Sequence, residues 1–259
     1  MSMEVDILVR GPFAATQITV HYCALKALDP EINAHIDTQW RRLLDEARRE
    51  GRILFNNPVA FLKNCTVADG ILHLDLAPTD FKTFLVSTLR NREFFTLHAP
   101  AAMTPALGNS ILLTYGNTAY LGVRSAAVAA YPHWAHLFGG VLDWPVRQNN
   151  NATVLLDHLY RELQEELGFN AKALSAPPRA LAILRDPALG QPELVWHGEL
   201  KNPLEIRSDA LNAQEHDAIL PVILEPNMAG GPPRTPISTA AIRMVTGRRI
   251  FQIRNRSRT

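Results

Sequence analysis

Cysteine is nearly absent: Cys23 and Cys65 are the only two in 259 residues, and they form no C-x-x-C pair. This excludes a disulfide framework and a thiolate zinc site, and both read as small buried hydrophobes. Long apolar runs are missing too. Glu4, Asp6 and Arg10 interrupt the first one, and nothing approaches the roughly 18 apolar residues of a membrane span. The expectation is a soluble, cytoplasmic chain without a membrane partner. An excess of either charge is also lacking, at a formal +1, which argues against a nucleic-acid partner. Arg248, Arg249, Arg254, Arg256 and Arg258 read as a solvated tail. There is no G-x-G-x-x-G, no P-loop and no internal repeat. Any phosphate bound here must be held by a metal and by arginine.

With 47% hydrophobic and 20% charged residues, the chain can bury one large core or two modest ones. Val5–Val9 and Gln17–Tyr22 alternate as strands. Asp29 and Pro30 suit a helix start, Ile32, Ile36, Trp40 and Leu43-Leu44 its apolar stripe, and Gly51 its end. Asp69-Gly70 joins two alternating runs as a hairpin. Thr79 or Asp80 opens a helix through Phe81, Phe84, Leu85 and Leu89. Pro100, Pro105 and Gly108 punctuate a linker. A second hairpin over Ser110–Thr114 and Ala119–Arg124 turns at Gly116-Asn117. The spacing thus predicts an N-terminal α/β extension over residues 1–98 and a second domain over 107–259. Within the latter, residues 141–153, with Trp144-Pro145 and Asn149-Asn150-Asn151, read as a loop, and Asn151 or Thr153 as the cap of the next helix. Strands follow at Leu181–Leu184 and Glu193–Leu200, then an apolar run from Ala218 to Leu224 and a closing helix over Ile237–Ile250.

The most informative stretch is Arg161-Glu162-Leu163-Gln164-Glu165-Glu166-Leu167-Gly168-Phe169. At about 100° per residue, Glu162, Glu165 and Glu166 fall near 0°, 300° and 40°, while Leu156, Leu159, Leu163 and Leu167 lie between roughly 60° and 140°. One side packs and the other carries clustered carboxylates. Such a cluster repels itself unless a hard divalent cation sits within it. His158, near 320°, joins the carboxylate face, either as an exposed helix residue or as a contact for substrate. Asp157 precedes Arg161 by one helical turn, a spacing at which acid and base can pair.

This stretch resembles the closing half of the Nudix hydrolase box, every term of which it matches. Gly139-Gly140 stands before it, preceded by Tyr131-Pro132-His133-Trp134 much as a Pro-x-x-Trp run precedes the glycines in many members. The upstream half departs from the family: Arg161 lies 21 positions after Gly140, about seven more than usual. The family's upstream glutamate would fall on Val146 counted forward from the glycine and on Thr153 counted back from the arginine. Asp157 is the expected substitute partner for Arg161. The resemblance implies an α/β/α sandwich with a mixed sheet. It implies Mg²⁺, or Mn²⁺, held by Glu162, Glu165, Glu166 and the Gly140 carbonyl. It gives Arg161 and Glu165 catalytic roles, and Glu215, in a late loop, the role of base or metal ligand. Arg124, at the end of a strand, and Gly139 are implied substrate contacts, although a plain surface arginine fits position 124 as well.

The N-terminal part is similar to one branch, the UDP-glucose and UDP-galactose pyrophosphohydrolases. The similarity rests on Trp40 with Arg42-Leu43, on Leu54-Phe55-Asn56-Asn57-Pro58-Val59-Ala60-Phe61 and on Asp80-Phe81-Lys82-Thr83-Phe84-Leu85. It implies metal-assisted hydrolysis of a UDP-sugar to UMP and a sugar 1-phosphate. Two other readings stand beside it: a nucleotide-binding module on the same scaffold, and an interaction protein docking through Arg41 to Arg52.

Overall fold

The computed structural model describes residues 4–52, 54–144, 152–168, 170–204, 215–225 and 232–256, with side chains as far as residue 247. Phe169, Pro145, Val146, the Asn149–Asn151 run, Gln214 and the side chains of the C-terminal arginines lie outside the described residues.

The chain begins with β1 (Asp6–Phe13) and β2 (Ile18–Tyr22), followed by helix α1 (Pro30–Arg49). Asp29 caps α1 by accepting the Glu31 amide at 2.8 Å, with Pro30 at its first position, where a missing N–H is no loss. Strands β3 (Pro58–Ala68) and β4 (Ile71–Asp80) turn at Asp69-Gly70, both at positive φ. The Asp80 carboxylate accepts the Thr83 amide at 2.7 Å and starts the short α2 (Phe81–Phe84). A π-helical turn over Leu85–Arg90 and α3 (Arg92–His98) follow. Then come β5 (Gly108–Tyr115), β6 (Thr118–Arg124), β7 (Ala135–His136), β8 (Phe138–Val141) and α4 (Thr153–Leu167). The last elements are β9 (Arg179–Arg185), β10 (Pro192–Glu199), β11 (His216–Ile223) and α5 (Pro236–Arg256). Among the described residues no helix is long and apolar enough to cross a membrane.

The architecture is the expected mixed α/β one. An eight-stranded sheet runs β1-β9-β10-β5-β6-β11, with β8 paired to β5 and β7 to β6, and only β10 and β5 run parallel within it. Alternation along β5 sends Ile111 and Leu113 to one face and Leu112 to the other, as a pleated strand must. On the first face lie Leu155, Leu159 and Leu163 of α4; on the second, Ile237, Ala241, Ile242 and Val245 of α5. Leu163 is fully buried, so truncating it to alanine would cost about 2–5 kcal/mol.

The division expected near residue 98 is crossed by the chain. β1 is an edge strand of the main sheet, paired with β9 from Asp6↔Arg185 to Phe13↔Ala180. The second sheet, β2-β4-β3, contributes Val20, Leu62, Leu72, Leu74 and Leu76 to the same cluster that holds α4. Backbone bonds tie β3 to the C-terminal part as well: Ala60 donates to the Leu142 carbonyl at 2.7 Å and Leu107 to that of Ala60 at 2.8 Å. The N-terminal residues therefore pack against the part that carries α4.

Candidate metal centre and cleft

Helix α4 presents its glutamates in a gradient of burial that follows from their angular positions. Glu166, closest to the apolar stripe, is 1% exposed; Glu162, further round, has a side chain 14% exposed, and Glu165, furthest away, 59%. Gly168 ends the helix in the left-handed region at φ 69°.

The two glycines lie between β5 and α4. Gly139 sits at φ 127°, where a Cβ would meet Ser110 Cα at 2.7 Å, so only glycine fits against β5 there. A Cβ on Gly140 would meet Glu162 Oε2 at 2.6 Å, so this glycine lets that carboxylate lie against the strand. The Gly139 amide donates to Glu166 Oε2 at 2.9 Å, and His216 Nε2 lies 3.0 Å from Glu166 Oε1. Donor atoms of Glu166, Glu215 and His216 all fall within 4.8 Å of one another. Glu215, the residue just before β11, therefore lies within the cluster.

The electrostatics of the cluster are those of carboxylates crowded out of water. Burial pushes Glu162 up to about 7, with Glu215 and Glu165 adding to the rise and Arg161 opposing it. Burial raises Glu166 well above the usual carboxylate range, reinforced by Glu215 and Glu162, while the Gly139 amide pulls the other way. His216 is driven down to about 4 by burial, then by Arg124 and His136. Buried like charges at this spacing are costly alone and become favourable around a divalent cation.

Three expected placements are corrected. Arg161 does not pair with Asp157, which is exposed; its Nη2 lies 2.5 Å from Asp143 Oδ2 and 3.2 Å from Glu162 Oε1, and its Nε 3.7 Å from Glu165 Oε1. Asp143 wins because the segment after β8 runs beside the helix, whereas Asp157 points to solvent from the helix itself. His158 is not exposed, and its Nε2 lies 3.5 Å from Glu162 Oε1. It is 5% exposed, with Nε2 at 3.0 Å from the Val141 carbonyl and Nδ1 at 3.4 Å from Asn109 Nδ2. Burial drives it down to about 4, with Arg161 acting in the same direction. The first turns of α4 are enclosed on more sides than the wheel suggests, since Val154, Leu155 and His158 are all buried. Glu165 stands outside beside Arg161, apart from the Glu166 group. The helix cap also differs: the N-cap is Ala152, without a side-chain bond.

A cleft of about 470 Å³ opens at this centre. Gly139, Gly140, Glu166, Glu215 and His216 line one part of it, and Arg52, Phe55, Phe81 and Phe84 of the N-terminal part another. Arg124 also lines it, with Glu193, Glu215 and Glu166 as charged neighbours and its Nε buried without a partner. It is a cleft residue and not a plain surface arginine. The sequence reading gave no role to Asp143, His216, His136, Ser110 or Glu193. His216 adjoined a residue already singled out; the others carry no local motif and meet only through strand pairing.

No protein-family model matches this sequence, and no curated protein does. Solved structures that it resembles include a MutT NUDIX hydrolase from Burkholderia pseudomallei, at 22% identity and TM-score 0.39 over 54% of this chain and 98% of that one. A MutT/nudix family protein from Enterococcus faecalis gives 16% and 0.39 over 66% and 73%. An ADP-ribose pyrophosphatase from Streptococcus suis gives 16% and 0.35 over 56% and 93%.

Proposed function

We propose that the protein is a Nudix-type hydrolase that uses a divalent metal to cleave a nucleoside diphosphate linked to another group, with UDP-hexoses as substrates. The observation that carries this reading is the set of desolvated carboxylates Glu162 and Glu166 packed against Gly139-Gly140 and met by Glu215 from β11.

The donor set fits Mg²⁺ or Mn²⁺: oxygen ligands predominate, the carboxylates are crowded together out of water, and no thiolate lies among them. Glu162, Glu166 and Glu215, with the Gly140 carbonyl, would hold the metal. When bound, it neutralises charge on the diphosphate and orients the attacking water. The remaining work falls to this chain's residues. Arg161, braced by Asp143, fixes Glu162 in place, and the Gly139 amide fixes Glu166. Arg124 faces the cleft with an unpaired Nε suited to a phosphate oxygen. Water adds across the P–O–P bridge as one P–O bond breaks, and the proton it releases passes to a carboxylate, for which Glu215 is best placed. UDP-glucose would yield UMP and glucose 1-phosphate.

Support for a uridine conjugate comes from the N-terminal wall, because the carboxylates recognise only metal and phosphate. Phe55, 66% exposed, with Phe81 and Arg52, gives the cleft an apolar and hydrogen-bonding side on which a base can rest. The test is a panel of UDP-glucose, UDP-galactose, ADP-ribose, NADH and dGTP with Mg²⁺ or Mn²⁺, read by phosphatase-coupled phosphate release. A preference of about tenfold in kcat/KM, or about 1.4 kcal/mol, for a non-uridine substrate would end the uridine assignment. Binding without metal-dependent turnover would identify a nucleotide-binding module instead.

A further inference from the structure

A second polar group lines the cleft, two strands across the sheet from the carboxylates of α4. Ser110 on β5 is in register with Gly139 on one side and Val195 on the other, and Glu193 at the start of β10 reaches back over Gly108. A Cβ on Gly108 would meet Glu193 Cγ at 2.9 Å, so the glycine gives this side chain its space. Glu193 is 8% exposed. Its Oε1 accepts from the Ser110 hydroxyl and lies 3.3 Å from His136 Nε2. His136 is braced in turn through Nδ1, 2.7 Å from Thr235 Oγ1. Both contacts of Glu193 fall on Oε1; Oε2 has no partner among the described residues. Arg124 borders the same space with its buried, unpartnered Nε. The cleft continues past this point into a recess of about 50 Å³ that both residues also line.

Burying a carboxylate is costly unless it is paired and hydrogen-bonded. Here burial raises the Glu193 carboxyl, but His136, Ser110 and Arg124 outweigh it and hold the group below its usual range. The result is a fixed anionic acceptor with one oxygen unspent, in a cleft, next to a fixed cation with one donor unspent. Charge narrows what can bind. A phosphate beside Glu193 is repelled by it, and an ammonium is repelled by Arg124. A neutral group with several hydroxyl donors, attached to a phosphate, satisfies both.

We propose that Glu193 and Arg124, positioned by Ser110 and His136, form a subsite for the sugar–phosphate portion of the substrate, with Arg124 on a phosphate oxygen and Glu193 Oε2 accepting from a pair of neighbouring sugar hydroxyls. This rests on the hydrolase reading and sharpens it, because it makes hydroxyl groups rather than the phosphates the determinant of selectivity. Both a hexose and the nucleoside ribose offer such a diol.

The test compares KM for UDP-glucose, for UDP-2-deoxyglucose and UDP-3-deoxyglucose, and for the 2′-deoxyuridine analogue, in the wild-type chain and in Glu193→Gln. In the wild type, losing the contacted hydroxyl raises KM by about tenfold or more, as expected when a buried polar group loses its partner. Glu193→Gln raises KM for UDP-glucose comparably, yet changes KM for the affected deoxy analogue by less than about threefold, the non-additivity of two groups in contact. Which analogue shows the effect tells hexose from ribose. Titration calorimetry in a Glu166→Gln background, where turnover is slowed, gives the same comparison without relying on activity. Equal losses for parent and analogues would overturn the subsite and make Glu193 structural, with hydrolysis unaffected as a conclusion. If Glu193→Gln fails to fold, a wild-type chain indifferent to every deoxy substitution overturns it equally. Absence of both binding and hydrolysis for the whole panel overturns the subsite together with the hydrolase reading.

Discussion

Arg161 and Asp143 lie 2.5 Å apart across 18 residues of chain, joining the start of the loop after the glycine pair to the middle of the carboxylate helix. Both side chains are about half exposed, so the pair is worth no more than about 1 kcal/mol to the fold. Its value is positional, since the same guanidinium also holds Glu162. Asp143→Asn should lower the thermal midpoint by less than about 4 °C while reducing kcat/KM by about tenfold. Asp157→Asn should change neither. A loss of activity in the second variant and none in the first, measured side by side, would reverse the assignment.

Glu166→Gln should lower turnover by at least about a hundredfold, because it removes a negative ligand from a desolvated centre. Circular dichroism should remain that of the parent, as the amide can still accept the Gly139 N–H. An unchanged rate at saturating Mg²⁺ would contradict the metal assignment.

The metal-free chain should lose stability at both ends of the pH range. Glu162, raised to about 7, and Glu166, raised well above its usual range, contribute stability that is present below about pH 4.5 and lost as the pH rises through 7. His158 and His216, lowered to about 4, contribute stability that is present above about pH 6.5 and lost as the pH falls through 4. Mg²⁺ competes with protons chiefly at the raised carboxylates, since His216, lowered to about 4, has already lost its proton at pH 5. Its stabilisation should therefore be larger at pH 8 than at pH 5, reaching about 2.7 kcal/mol at a hundredfold excess over Kd. Thermal melts with and without the metal at the two pH values decide this, and an equal shift at both would refute it.

His158→Ala should cost about 2–4 kcal/mol of stability by opening a cavity beneath α4 and leaving the Val141 carbonyl without its partner. Once folded, the variant should bind substrate with a KM within about threefold of the parent, because the side chain does not line the cleft. A denaturant titration alongside steady-state kinetics separates the two effects.

What could be read from the sequence was whatever the local chain encodes. The box glutamates, the glycine pair, the hairpin turns at Asp69-Gly70 and Gly116-Asn117 and the Asp29 cap all announce themselves within a few residues. Glu215 is pointed to by the family resemblance, which expects a glutamate in a late loop, and not by any pattern in its neighbours. Misjudged positions have partners supplied from far along the chain. His158 is buried by Val141 and Asn109, Arg161 is claimed by Asp143, and Glu193 meets Ser110 and His136 only after β10, β5, β6 and β7 have paired. A helical wheel records which side of α4 is apolar, but it cannot register a strand, β8, laid against the rest of the helix. β1 was legible as a strand, yet its place at the edge of the main sheet depends on β9, about which nothing in its own residues speaks.

That last pairing also dictates an order of events during synthesis. β1 is made first and its hydrogen-bonding partner, residues 179–185, emerges only after more than half of the chain. Contacts of such high sequence separation are slow to form, because the loop must close before they are rewarded. While β9 is still to be translated, the apolar side chains of β1 and of the small sheet have no completed surface to join. A nascent fragment ending before β9 should therefore depend on chaperones to stay in solution.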